Sequence, residues 1–196
     1  MKPILLIYAT REGQTRHITE HLGDVLAAHP MEYDIVDAAR VPKGFSLARY
    51  SAAMVAASLH VGEYEPEMTT FVRCHLGELG RIPSTFISVS MAARVVEDEG
   101  APPDTRPAAH ENIRRTIDRF LAETGWRPTH IAEVGGTLMY SRYSVVTRFV
   151  LKLIAKHEGA PVDTTRDYEF TNWTKLDQAI DEQVRDNPSV KAAAQG

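Results

Sequence analysis

The stretch Ile4-Leu5-Leu6-Ile7-Tyr8-Ala9-Thr10-Arg11-Glu12-Gly13-Gln14-Thr15 decides the fold. Its first six residues carry no charge and read as a buried strand. A short loop rich in hydroxyl, amide and glycine residues follows, and a helical pattern begins at once with Arg16 and Ile18. A strand feeding a tight turn and a helix N-terminus is a ready site for a phosphate. Backbone N–H groups point out of the helix start, and its dipole favours an anion there. Thr10 and Thr15 add hydroxyl donors, and Gly13 lets the backbone approach closely. The loop suggests a nucleotide-like cofactor.

Outward from this stretch, apolar runs alternate with periodic ones. Helix Arg16–Ala28 places Ile18, Leu22, Val25 and Leu26 on one face and stops at His29-Pro30. Strands are expected at Tyr33–Val36, Ala52–Ser58, Thr85–Ser90 and Ile131–Leu138. Helices are expected over about Glu67–Leu79, Ala108–Thr124 and, from an Asn172 cap, to about Val184. Met91–Pro107 reads as a long loop, because Pro102, Pro103 and Pro107 follow the acidic cluster Glu97-Asp98-Glu99. This alternation implies a doubly wound parallel sheet covered on both faces, one domain over residues 1–186 and a frayed tail over 187–196.

With 196 residues the chain suits one well-packed domain. The single cysteine, Cys74, excludes an intramolecular disulfide and a cysteine-ligated cluster. The N-terminal apolar run lacks a small-residue cleavage site, and no apolar run is long enough to span a bilayer, so a cytoplasmic protein is expected. The net charge of −4 is unevenly spread. Between Met139 and His157 lie Arg142, Arg148, Lys152 and Lys156 with no acid, whereas the remainder holds 18 Lys and Arg against 26 Asp and Glu. Val145, Val146, Phe149, Val150, Leu153 and Ile154 fall on one helical arc, flanked by Arg148, Lys152 and Lys156. An apolar arc with a basic border suits a helix lying on anionic lipid; plain packing or a dimer contact is the alternative.

The residues now reach a resemblance. Thr10-Arg11-Glu12-Gly13-Gln14-Thr15 resembles the FMN-phosphate loop of flavodoxins, Thr-x-x-Gly-x-Thr. Ser58-Leu59-His60-Val61-Gly62-Glu63-Tyr64, after the third strand, resembles their first isoalloxazine loop. Ser88-Val89-Ser90-Met91-Ala92-Ala93-Arg94, after the fourth, resembles the second. With Trp126-Arg127-Pro128, the run Gly135–Tyr143 and Arg148-Phe149 through Ile154, the chain is similar to flavodoxin-type, menaquinone-dependent protoporphyrinogen IX oxidases of bacteria. The resemblance implies a flavodoxin-like five-stranded sheet ordered 2-1-3-4-5, with the basic helix inserted over 139–166 after strand five. It implies FMN held by the three loops near the topological switch point, and a flavin that does the chemistry without a protein nucleophile. It implies protoporphyrinogen IX as donor, a membrane quinone as acceptor and peripheral attachment to the inner face of the cell membrane.

Arg94, Arg142 and Arg148 are candidate partners for the substrate's propionates. Arg142, Arg148, Lys152 and Lys156 are candidate membrane contacts. No nucleic-acid partner is expected, and self-association stays open. Alternatives are a flavodoxin-type electron carrier, a nicotinamide-dependent quinone reductase and a flavin-binding sensor. His17-Ile18-Thr19-Glu20-His21 matches the inverted zinc-protease pattern, but a solvated helix face is the better reading and no metal is expected. Cys74 reads as a packed small residue, and His60 and Tyr64 as candidates for contact with the flavin ring.

Overall fold

A computed structural model describes residues 2–29, 31–60, 62–97, 105–138 and 168–187. Five parallel strands form the central sheet: β1 (Ile4–Ala9), β2 (Tyr33–Asp37), β3 (Ala52–His60), β5 (Ser84–Ser90) and β6 (His130–Gly135). Their order is β2-β1-β3-β5-β6, which matches the expected 2-1-3-4-5 once the short β4 (Glu63–Tyr64) is set aside. β4 folds back antiparallel on β3, pairing Leu59 with Tyr64 and His60 with Glu63.

All six residues of β1 are buried, because helices cover both faces. On one face α1 (Gln14–Ala27) and α6 (Trp173–Asp186) pack Ile18, Leu22, Leu26, Leu176 and Ile180 against Ile4, Leu6 and Ile87. On the other, α2 (Pro66–Cys74), α3 (Leu76–Leu79), α4 (Met91–Glu97) and α5 (Thr105–Thr124) complete the elements. Phe71, Ile113, Phe120 and Trp126 fill a core there with Leu5, Ile7 and Phe86.

The expected helix over Glu67–Leu79 is two helices, broken at His75, whose φ of −111° and ψ of 15° leave the helical region. The expected loop Met91–Pro107 begins instead as α4. The Ser90 hydroxyl caps it by accepting from the Ala93 amide at 3.2 Å, and Ala92, Ala93 and Arg94 are good helix formers. Pro102 and Pro103 come later, and Pro107 sits in the first turn of α5, where a missing N–H costs little. That helix starts at Thr105, three residues before its expected start, and ends at Gly125 with φ of 74°. The expected fifth strand Ile131–Leu138 stops at Gly135, and β7 (Thr137–Leu138) pairs antiparallel with β8 (Tyr168–Glu169). Asn172 caps α6 as expected, accepting from the Lys175 amide at 3.1 Å. Residue Val61, the inserted segment with Arg142, Arg148, Lys152 and Lys156, and the tail from residue 188 lie outside the described residues.

Candidate functional site

The carboxyl ends of β1, β3 and β5 meet where the strand order reverses, and the site grows from the segments leaving them. After β1 the chain turns through Thr10–Gly13. Gly13 takes φ of 94°, a left-handed conformation that glycine adopts without strain, and its amide donates to Thr10 Oγ1 at 3.0 Å. The amides of Gln14, Thr15 and Arg16 then open α1 with no acceptor inside the helix. No side chain caps this helix. The Thr15 side chain is fully buried, yet its hydroxyl has no hydrogen-bond partner among the described residues. A buried hydroxyl beside unsatisfied helix amides is the donor set a phosphate needs, so this segment fits the group that the sequence implied.

Gln14 is also buried. Its Nε2 donates to Thr171 Oγ1 at 2.9 Å, and that hydroxyl donates to the Gly135 carbonyl at 3.1 Å. The Thr10–Thr15 loop is thereby tied to the end of β6 and to the chain entering α6. At Gly135 a Cβ would stand 2.1 Å from the Phe170 carbonyl oxygen, so only glycine permits this approach.

The two expected ring loops have more regular structure than their sequence suggested. Ser58–His60 end β3 and Glu63–Tyr64 form β4, so the first is a tight hairpin, turned at Gly62 with φ of 80°. In the second, Ser88–Ser90 belong to β5 and Met91–Arg94 to α4, so strand runs directly into helix. The side chains divide by role. Tyr64 is buried, with ring centroids 5.1 Å from Phe86 and 4.9 Å from Phe120. Its hydroxyl meets the buried Ser88 Oγ at 2.7 Å, which pins the hairpin to the neighbouring strand. Burial holds the Tyr64 phenol well above its ordinary range, offset in part by the Ser88 bond. Val89 is buried and Ala93 lies in the core, whereas His60, Met91, Ala92 and Arg94 are partly exposed. The Arg94 guanidinium lies over the Phe170 ring at 5.1 Å. The structure thus brings the Thr10–Thr15 loop, the hairpin and the β5–α4 junction to one sheet edge.

Sequence reasoning missed Glu65. Its carboxylate is 4% exposed and receives Arg11 Nε at 3.0 Å, with His60 Nε2 at 3.4 Å and Ser58 Oγ at 3.5 Å. Its backbone carbonyl accepts from the Met68 and Thr69 amides, so the residue also starts α2, with Pro66 in the first position. The Glu-Pro pair ahead of an apolar periodic run was the available signal for the helix start. No local signal marks the contact with Arg11, which is 54 residues away. Thr171 and Phe170 were missed for the same reason.

The two histidines of the His17–His21 pattern have separate partners. His17 lies 3.4 Å from Glu20, and His21 meets Asp177 of α6 at 2.9 Å. Cys74 is exposed and not packed as expected, since it falls at the last position of α2 instead of inside a longer helix. No helix among the described residues is long and apolar enough to cross a membrane.

With this geometry in place, the comparisons with known proteins are informative. Residues 5–165 match the flavodoxin domain family. An Escherichia coli K12 protein named protoporphyrinogen IX dehydrogenase [quinone] is 31% identical over 189 residues, covering 95% of this chain and 98% of that protein. A Leishmania major protein of the same name is 27% identical over 173 residues, covering 88% of this chain and 70% of that one. Among solved structures, oxidised flavodoxin 1 from Bacillus cereus superposes with a TM-score of 0.51 at 15% identity, covering 93% of this chain and 97% of that one, a likeness of fold alone. Matched over most of its length, with the strand order and phosphate-loop geometry to suit, this chain belongs to the flavodoxin domain family.

Proposed function

We propose that this protein is an FMN-dependent oxidoreductase that takes electrons from protoporphyrinogen IX and delivers them to a membrane quinone. One observation carries the reading: the Escherichia coli relative of that name aligns over 95% of this chain and 98% of its own length. The geometry supports a flavin. Thr15 and the amides of Gln14–Arg16 would hold its phosphate, and the His60–Tyr64 hairpin and the Ser90–Arg94 segment would flank its ring. FMN, when bound, supplies the two-electron chemistry.

The chain's own groups bind, orient and exclude water. Tyr64, with its phenol held protonated by burial, keeps the hairpin in register through Ser88. Gln14 and Thr171 hold the phosphate loop against β6. Arg94, over Phe170, sits at the end of the expected second ring segment, where its charge favours an anionic reduced ring or a substrate carboxylate. No protein nucleophile is required, because the flavin would supply the redox chemistry.

The basic inserted segment supports a membrane-bound acceptor. β7 and β8 pair antiparallel, so the chain leaves for that segment and returns from it at neighbouring positions, directly after Gly135-Gly136. Its Arg142, Arg148, Lys152 and Lys156 are proposed to rest on anionic lipid at the inner membrane face.

The test uses FMN-loaded protein with protoporphyrinogen and a menaquinone analogue. Quinone-dependent porphyrin fluorescence above the autoxidation control is expected, and flavin reduced only by a nicotinamide or a partner reductase overturns the reading. Arg148→Glu with Lys152→Glu is expected to weaken binding to anionic liposomes; unchanged binding overturns the membrane contact.

A further inference from the structure

A groove of about 480 Å³ opens between the hairpin, α2 and α5, a volume within the roughly 300–1,000 Å³ of small-molecule sites. Arg11, His60, Tyr64, Arg73, Arg119 and Phe120 are among its lining residues. Its hairpin wall is the segment expected to flank the flavin ring, so a molecule seated here adjoins the redox site.

The three arginines differ in what they already hold. Arg73 is matched by Glu123 at 3.0 Å. Arg119 donates through Nη2 to the Gly62 carbonyl, and no carboxylate contacts it among the described residues. Arg11 is bound through Nε alone, by the buried Glu65, while 63% of its side chain stays exposed. A guanidinium carries five N–H donors in a rigid fork, so a bond at Nε fixes its plane and leaves the terminal amino edge for another anion. Glu65 is thus a positioning residue. It presets Arg11 toward the groove, which lessens the side-chain ordering that ligand binding must otherwise supply.

We infer that this groove binds the carboxylate side chains of the electron donor, with Arg119 and the outer edge of Arg11 as the anion ligands. The inference rests on the proposed porphyrinogen substrate, whose ring carries two propionates. It moves Arg11 from the cofactor phosphate, where the sequence resemblance put it, to the substrate. It also assigns a role to Arg119, which no sequence motif marked. Phe120 and Tyr64 form the floor of the groove but are themselves buried, so its recognition chemistry lies in the charged rim.

The test titrates FMN-loaded protein with protoporphyrin IX and, separately, with its dimethyl ester. Binding is read from flavin absorbance and tryptophan fluorescence. Wild type is expected to bind the free acid about a hundredfold more tightly than the ester, about tenfold for a charged hydrogen bond from each of the two arginines. Arg119→Gln and Arg11→Gln should each remove about tenfold of that preference, leave ester binding in place and raise KM for protoporphyrinogen more than they lower kcat. FMN affinity should stay within about twofold, as suits groups that do not touch the phosphate. Glu65→Gln should weaken acid binding as Arg11→Gln does, with little further loss in the double variant.

Equal binding of acid and ester by wild type overturns the groove. So does a collapse of FMN affinity in Arg11→Gln, which returns Arg11 to the phosphate. Should Arg11→Gln fold poorly, Arg119→Gln decides alone, and an unchanged acid preference there overturns the inference. Tight, arginine-dependent binding of the acid by a protein that leaves protoporphyrinogen unoxidised keeps the groove and rejects the substrate reading instead.

Discussion

The Glu65 carboxylate lies 3.0 Å from Nε of Arg11, and it is almost sealed from water while the arginine stands 63% exposed. The pair joins the loop after β1 to the residue that starts α2. Burying a carboxylate costs several kcal/mol unless it is paired, so Arg11 and the nearby His60 are what permit Glu65 to sit there.

The Thr15 hydroxyl is buried and has no partner among the described residues, so it adds no hydrogen bond to them in the apoprotein. Thr15→Val keeps the shape and removes the unpaired polar atom, and is expected to leave apoprotein stability unchanged or raise it by up to about 1 kcal/mol. FMN affinity should fall about tenfold while riboflavin, which lacks the phosphate, loses almost none. Fluorescence-quenching titrations with both flavins check this, and equal losses for the two would place the phosphate elsewhere.

Tyr64→Phe strands the Ser88 hydroxyl in the core. The expected cost is about 1–2 kcal/mol in urea denaturation, while the ring's contacts with Phe86 and Phe120 survive. A neutral substitution would mean that the hydroxyl pair does not fasten the hairpin.

Gly135→Ala places a methyl group 2.1 Å from the Phe170 carbonyl oxygen, which must move. Overpacking of this kind costs about 1–3 kcal/mol. Because Thr171 bonds both the Gly135 carbonyl and Gln14, the variant should also weaken FMN binding, a coupling that stability and titration measurements on one preparation will show.

Glu78 accepts from the Ser46 hydroxyl, His75 Nδ1 and the Leu47 amide, and the bonds from Ser46 and His75 chiefly hold its carboxyl below the ordinary value of 4.5. A carboxyl lowered by folding stabilises the protein fully above its ordinary range, and this contribution is lost as pH falls through the folded value. Glu78→Gln should therefore cost about 1 kcal/mol near neutrality, with the gap to wild type closing as pH falls below the ordinary carboxyl range and through the lowered folded value. Thermal melts across that range test the sign.

The strand order followed from the family resemblance, whereas the strand–turn–helix at Thr10–Thr15 was legible because it is encoded locally. Six uncharged residues, then Thr10, Gly13 and Thr15 at fixed spacing, leave few alternatives. The two segments assigned to the ring by resemblance have more regular structure than expected. A capping serine at Ser90 followed by alanines outweighs the downstream prolines that made Met91–Pro107 look like a loop. Tyr64 was a candidate for contact with the ring because it lies in the segment that resembles the first isoalloxazine loop, and the fold gives its hydroxyl a structural role that the sequence did not mark. Its partner Ser88 is 24 residues away, and only the pairing of β3 with β5 brings the two together. Glu65 was invisible for the same reason, since a buried carboxylate and a solvated one read alike until the fold places Arg11 beside it.

The central claim is that electrons pass from a porphyrinogen to a quinone through one bound flavin, and anaerobic mixing tests it most directly. Protein loaded with FMN should lose its visible flavin absorbance on addition of protoporphyrinogen IX, yield porphyrin fluorescence, and recover that absorbance when a menaquinone analogue is added. A flavin that stays oxidised with protoporphyrinogen, yet bleaches with a nicotinamide or a partner reductase, would contradict the account.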